Sequence, residues 1–329
     1  MLMKRALGAA AGAALLTAAF QPDDAAAQAI MAHGAAKDNP RHQAALMFRD
    51  LAQARTNGSV EITVRCCAQL GDDDEMISSV GANNIQISAN SQGSFAQVVP
   101  ETALFGLPFL FDSLSQAWQV IDGPIGDKIA DRAASEGYIV LAWWDNGIRN
   151  VTHTDKCISE PADIEGMDIR TPPSEMTVDM FNAVGASPEP LAWSELPSAL
   201  EAGTFQGQEN PLINIYTANL HEITPYISPT RHKYETTPVI ASRAWWNSLN
   251  PSEQDAVRSA AEDAGWYQRG QALRADARLT STLKQEGAEF CDVDTAAFQK
   301  ATASVYDKWE EKFPDLVPQM QAATERAAE

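Results

Sequence analysis

Ile164-Glu165-Gly166-Met167-Asp168-Ile169-Arg170-Thr171-Pro172-Pro173-Ser174 is the stretch on which the reading of this chain turns. In an extended segment successive side chains alternate, so Met167 and Ile169 face one side and Asp168 and Arg170 the other. Thr171-Pro172-Pro173 ends the strand at once, because proline brings no N–H to a ladder. Arg170 is therefore predicted at the carboxyl end of a strand, where open α/β sheets place ligands. A guanidinium fork there suits a planar carboxylate; the same spacing also fits a solvated surface arginine. Arg149 follows a predicted strand at Tyr138–Trp144 and a turn at Asn146-Gly147, and the same two readings apply to it.

Outward from this stretch, strands and helices alternate. Ile30–His33 is a short apolar run, and Ala44, Met47, Phe48 and Leu51 mark one face of a helix stopped by Asn57-Gly58. Val60, Ile62 and Val64 alternate as a strand. Asp72–Glu75 put acids at a helix start, where its dipole favours them. Ile85 and Ile87 fall on the next strand. On the other side, helices over Glu175–Val184 and Glu195–Ala202 close at Gly185 and Gly203, and Pro238–Ser242 reads as a returning strand. This βαβ order implies a mainly parallel sheet flanked by helices. Pro251 to Glu286 has few breakers, and a continuous helix of that length spans about 54 Å, too long for one domain's face. Gly265 and Gly270 allow it a kink, and a last helix is predicted over Thr295–Lys312. No internal repeat or low-complexity linker is present in the sequence.

The chain has 329 residues, 45% of them hydrophobic and 21% charged, which fits about two globular domains. Met-Leu-Met-Lys-Arg, the apolar stretch from Ala6 to Phe20 and the small residues at 24–29 read as a secretory leader, so residues 1–29 are assigned to a signal peptide. Its core is shorter than a membrane span needs. The formal net charge is −20, and the leader's Lys4, Arg5, Asp23 and Asp24 cancel, so the mature chain keeps it. That argues against nucleic acid and anionic lipid as partners. An anionic small ligand remains compatible, because screening confines charges to about 8 Å.

Catalytic signatures are missing: no GxSxG, Walker A, GxGxxG or HExxH motif occurs, and His221-Glu222 lacks a second histidine. No metal spacing and no cofactor motif is present. Export permits disulfides. Cys66 and Cys67 are neighbours, expected to stay unbonded, which leaves Cys157 and Cys291 as the candidate pair.

The opening stretch resembles the signature of the TRAP-transporter solute-binding subunits, the periplasmic receptors of tripartite carboxylate carriers. The likeness continues through Val184-Gly185-Ala186, Glu195-Leu-Pro-Ser-Ala-Leu200, Gly203 and Gly207-Gln208-Glu209-Asn210-Pro211. It also covers Gln69-Leu70-Gly71 with Glu75, Pro100-Glu101, Leu107-Pro108-Phe109 and Asn146-Gly-Ile-Arg149. Ordered blocks thus run from about residue 30 to 260.

The resemblance implies a two-domain, periplasmic-binding-protein-like α/β fold with crossing strands and a long helix along both domains. Domain I would hold residues 30–151 plus about 235–265, and domain II residues 152–234 plus about 266–329, with Cys157 and Cys291 in the latter. It implies a periplasmic receptor, not an enzyme, that closes over a small organic acid and docks on membrane permease subunits. Carried over by residue, Arg170 would clamp the carboxylate, Arg149 and Asn210 would be further contacts, and Glu75 and His33 would line the other wall. Trp193 and Ser91 follow as weaker candidates; Trp193 also reads as a packing aromatic and His33 as a strand-end histidine. Two positions depart from the family pattern: Gln206 stands for its aspartate and Asp168 for its lysine. A receptor feeding a signalling kinase and a secreted α/β hydrolase are the rival readings.

Overall fold

The computed structural model describes residues 27–328. The predicted leader lies outside them except for Ala27–Ala29. Those three residues open β1 (Ala27–Ala32), paired in parallel with β2 (Val60–Arg65) from Ala27↔Val60 onward.

Between β1 and β2 lies α1 (Pro40–Arg55). The Asn39 side chain accepts from Arg41 N and proline occupies the first turn, two signals that start a helix. Then come α2 (Asp73–Gly81), β3 (Ile87–Ala89), α3 (Gln92–Phe95), α4 (Leu114–Ile121) and α5 (Pro124–Ser135). α2 opens with a capping box in which Asp72 and Glu75 satisfy each other's backbone N–H groups. β4 (Tyr138–His153) leads to β5 (Asp168–Thr171), α6 (Glu175–Ala183), β6 (Ser187–Pro190), α7 (Leu196–Glu201), β7 (Gly207–Pro211) and α8 (Leu212–Thr217). β8 (Tyr226–Ser242) returns through the molecule to α9 (Arg243–Trp246), followed by α10 (Pro251–Gln285), β9 (Glu289–Phe290), α11 (Thr295–Ala301), α12 (Ser304–Lys312) and α13 (Leu316–Ala328).

The strands form one sheet in the order β2-β1-β3-β8-β4-β7-β5-β6, with β9 on β8. Its spine is the antiparallel pair β4 and β8, of 16 and 17 residues, registered from Tyr138↔Ser242 to His153↔Tyr226. Each is about 55 Å long and changes partners midway. β3 pairs the late part of β8 (Val239–Ala241), whereas β7 pairs the late part of β4 (Arg149–His153). The crossing strands and the helix along both halves agree with what the resemblance implies, whereas the mainly parallel sheet expected from the βαβ order is corrected: the long strands β4 and β8 pair each other and β7 and β3 antiparallel, because they cross between the halves in opposite directions.

The register breaks at Asp145/Gly147 and again at Arg149/Val151. Here the structure corrects an expectation: Asn146-Gly147 is a bulge inside a continuous strand, not a turn that ends one. Gly147 adopts φ 118°, which lets one extra residue be absorbed while pairing continues. Arg149 therefore sits mid-strand.

α10 runs unbroken for 35 residues. Val257, Ala260, Ala261 and Ala264 join the core around α1, β1, β2 and Trp144. Further along, Ala275, Leu279 and Leu283 join a separate core with α7 and α8. Gly265 serves close packing here, since a Cβ would stand 2.8 Å from Trp144 Cδ1. The last helix is also corrected: it divides at Thr302, whose hydroxyl donates back to Phe298 O at 2.9 Å, and α13 follows. α13 packs on α4 and α5, with Val317 and Met320 in their core.

Cys157 and Cys291 form the expected disulfide, with Cα atoms 5.6 Å apart. Cys66 and Cys67, expected free, are joined too. Cys67 takes a positive φ of 62°, and it is in that backbone conformation that the neighbouring pair is joined.

Candidate functional site

The loop after β1, the first turns of α1 and α2, the bulge of β4, the ends of β5 and β7, and α8 surround one cavity. Its empty volume is about 560 Å³, the open solvent at its mouth included. Arg170, Arg149, Asn210, Trp193 and Ser91 all line it. Glu75 and His33 do not. Glu75 Oε2 turns back to accept from Asp72 N at 2.9 Å, as the capping box requires. His33 is fully buried behind the β1 loop, with Nε2 3.1 Å from His42 Nδ1. Burial, with help from the Arg41 charge, pushes its pKa down to about 3, so the ring is neutral.

Arg170 leaves β5 just before Pro172 and Pro173 stop the strand. It is 2% exposed. Nε donates to Leu191 O at 2.9 Å, and Nη2 donates to the same oxygen. A guanidinium has five N–H bonds, so three remain. Among the described residues no carboxylate forms an ion pair with it. Burial, and after it the charge of Arg149, pulls its pKa down to about 10; it is still a cation at neutral pH.

Arg149 has the opposite surroundings. It pairs with Glu209 through Nε and with Glu235 through Nη1. Nη2 adds bonds to Glu209 Oε1 at 2.7 Å and Glu209 O at 2.6 Å. Burial alone would lower its pKa, but the two carboxylates outweigh that and raise it. Glu209 also meets His232 Nε2 at 3.1 Å, and Arg149 with His232 overcomes burial to hold its pKa at about 2. With four N–H bonds spent inside the protein, Arg149 has one left for anything in the cavity.

Sequence reasoning missed Arg41, Asp73, Asn39, Asn146 and Asn214, all in the lining. Arg41 is 6% exposed, donates from Nη2 to Asn146 Oδ1 at 2.9 Å, and its Nε has no partner among the described residues. One signal was available: Pro40-Arg41 puts a cation in the first turn of a helix, where the dipole opposes it. Asp73 was legible only as a helix-start acid. Its Oδ2 accepts from Ser91 N at 3.0 Å, and burial, beyond what Arg41 offsets, raises its pKa to about 6. Asp168 and Gln206, where the chain departs from the family pattern, stand clear of the cavity and bond each other across β5, Gln206 Oε1 accepting from Asp168 N at 3.0 Å.

Hydrogen bonds reach across the cavity, the shorter ones as follows. Asp72 Oδ2 accepts from Ser194 N at 2.8 Å, and Asn39 Nδ2 donates to Asn214 Oδ1 at 3.1 Å.

Residues 31–312 match the family described as bacterial extracellular solute-binding protein, family 7. The chain belongs to this family, the solute-binding subunits of TRAP transporters. The family's 2,3-diketo-L-gulonate-binding periplasmic protein YiaO of Escherichia coli is 33% identical over 86% of this chain and 87% of its own length. An uncharacterized protein of Sinorhizobium fredii, y4mM, is 41% identical over 87% of this chain, which spans 53% of that longer relative. Among solved TRAP-type binding proteins, the sugar acid binding protein DctPAm of Advenella mimigardefordensis in complex with galactonate superposes with a TM-score of 0.88 at 29% identity. That likeness covers 91% of this chain and 98% of the other. The family is one of extracellular receptors, and among the described residues no helix is long and apolar enough to cross a membrane.

Proposed function

We propose that this TRAP solute-binding subunit captures a small organic acid by its carboxylate, with Arg170 as the anchor, and delivers it to membrane permease subunits. One observation carries the reading: Arg170 is a buried guanidinium with three unspent N–H bonds, and among the described residues no carboxylate is paired to it. An unpaired buried charge is costly, and a bidentate carboxylate offsets that cost with two charge-assisted hydrogen bonds. Asn210 and the remaining N–H of Arg149 stand beside it, and Trp193 and Ser91 complete the wall. The galactonate bound by DctPAm and the diketogulonate bound by YiaO are acids of this kind.

Binding without turnover fits the same wall. The Ser91 hydroxyl donates to Glu235 at 2.6 Å and accepts from Gly93 N at 3.2 Å, so it caps α3 and is not poised as a nucleophile. Residues 30–151 with about 235–265, and 152–234 with most of the chain after about 266, would be the two bodies that close, flexing where β4 and β8 break register; α13 would ride with the first, because it packs on α4 and α5. Asp72–Ser194 and Asn39–Asn214 would then be the bonds made on closing. Secretion to the periplasm would cut the leader at or before Ala27, since β1 uses that residue.

A thermal-shift screen against small organic acids tests the proposal. An acid held at 100 times its dissociation constant should stabilise the wild type by about 2.7 kcal/mol. A panel of hydroxy, keto, sugar and dicarboxylic acids that leaves the melting temperature unmoved rejects it.

A further inference from the structure

Away from the cavity, the large apolar side chains that stand in solvent gather on α10. Trp266 is 59% exposed, Tyr267 40% and Leu273 47%; Leu70 is the only other large one among the described residues. Trp266, Gly270, Leu273 and Ala277 are all exposed and recur at intervals of four, three and four residues, which sets them on one face of the helix. Such a stripe is the seam along which two helices pack. At Gly270 an added Cβ would meet nothing within 4 Å, so the middle of the face is uncovered. None of these residues lines the cavity. We infer that the stripe is covered by the same stripe of a second copy of this chain, the two α10 helices running antiparallel about Gly270.

Charge chooses this occupant. Before Gly270 the exposed charges of α10 are Asp255, Glu262 and Asp263, and after it come Arg274, Arg278 and Lys284. One exposed acid breaks the order: Asp276, which feels the charge of Arg231 and lines a separate pocket with Asp145. Arg258 is half-buried and spent on Val140 O and the Trp246 ring. Asp263 pairs with Arg55, and among the described residues none of the other five has an ion-pair partner. A face acidic in its first half and basic in its second complements itself only when turned end for end.

A two-fold axis beside Gly270 brings together residues that lie nearly equally far from it on opposite sides. Trp266 then packs against Leu273 of the other copy, Tyr267 lies beside Arg274, Asp263 faces Arg274 and Arg278, and Asp255 faces Lys284. The apolar pair excludes water at the centre, the Arg274 guanidinium stacks on the Tyr267 ring, and ion pairs close both ends. Parallel helices would set acid against acid. The axis also closes the assembly at two copies. A contact of one helix from each copy falls at or below the low end of the roughly 1,200–2,000 Å² that stable pairs bury. The dimer is therefore expected to dissociate on dilution, with Trp266 and Tyr267 as its anchors.

Sedimentation velocity on the mature protein, its disulfides intact, tests this over a dilution series. The mass is expected to rise with concentration from one copy to two and to stop there. Leu273→Glu should weaken association by about tenfold or more, with a melting temperature like that of wild-type monomer, because Leu273 is exposed. Asp255→Lys and Lys284→Glu should each weaken it by about threefold, since each change occurs twice across the axis, and the two together should restore it. A chain that stays monomeric at every concentration overturns the inference and leaves the stripe to another occupant, the permease subunits first. A dimer that Leu273→Glu does not loosen places the interface elsewhere and overturns it too. Growth beyond two copies, or charge reversals that fail to rescue each other, overturns the antiparallel pairing.

Discussion

Replacing Arg170 by lysine keeps the charge and removes the fork. In the native cavity Leu191 O takes two of the five N–H bonds, leaving three in the plane of the guanidinium. A carboxylate meeting that edge is held by two parallel bonds. A lysine ammonium that keeps one bond to Leu191 O has two N–H bonds left, but they diverge tetrahedrally, so one carboxylate oxygen loses its partner. Leaving a charged acceptor half-satisfied in a desolvated site costs about 1–3 kcal/mol. At 1.4 kcal/mol per tenfold, that is a loss of about 5- to 150-fold in affinity. Folding should barely notice, because Arg170 makes no ion pair among the described residues. A change of 1 kcal/mol moves the melting temperature of a chain this size by only about 2–4 °C.

Calorimetry with an acid found by the screen reads the affinity, and a melt without ligand reads the fold. Arg170→Met sharpens the experiment. Burial already pulls the Arg170 pKa down to about 10, so removing the charge relieves a cost. The ligand-free melting temperature should stay within a few degrees or rise, while the ligand-induced shift disappears. Affinity of Arg170→Lys within twofold of wild type would show that Arg170 is not the anchor. Affinity lost only in step with the fold would show that its role is structural.

Opening the Cys157–Cys291 disulfide, by paired Cys→Ser substitution, releases a loop with a sequence separation of 134; chemical denaturation should report a loss of about 2–5 kcal/mol. Asp73, faced by Asp72, Asp74 and Arg41, has its pKa raised from 3.8 to about 6. Below its unfolded pKa the ionised form is absent and costs nothing. As pH rises toward 6 the folded state must release a proton it holds more tightly than the unfolded chain does, so this group's contribution falls by about 3 kcal/mol. Denaturation of wild type against Asp73→Asn from pH 4 to pH 7 should show the difference moving in favour of asparagine over that window and flat above it. On α10, Gly265→Ala should destabilise by about 1–3 kcal/mol through overpacking, because its Cβ would meet Trp144, whereas Gly270, with nothing within 4 Å, should gain about 0.5–1 kcal/mol as alanine from helix propensity. Equal signs for the two would refute the packing account.

The fold was legible where a local pattern carried the information. Period-2 alternation at Val60–Val64 and the capping residues before Pro40, Asp73 and Pro251 fix their elements without reference to the rest of the chain. Arg170 was legible for the same reason, since Pro172-Pro173 locates the end of its strand. The misread elements depend on partners far away in sequence. Asn146-Gly147 looks like a turn, yet β8 supplies the pairing that turns it into a bulge. The division of the last helix at Thr302 is the exception: no glycine or proline announces it and no distant partner explains it.

The site shows the same division, and it bears on what can be inferred about function. Arg149 and Arg170 look alike in sequence, each a polar residue at the edge of an apolar run. What separates them is Glu209 and Glu235, which lie 60 and 86 residues beyond Arg149 and meet it only in the folded sheet. Pairing with two buried carboxylates makes Arg149 a framework residue: Arg149→Lys would strand both acids, at a cost on the scale of breaking a buried ion pair, about 3–5 kcal/mol. Among the described residues Arg170 has no such partner, and its unspent hydrogen-bonding capacity faces the cavity. On the function proposed above, the anchor is the arginine that no carboxylate of the described residues neutralises. Only the three-dimensional pairing, and not the identity of the arginines, tells the two kinds apart.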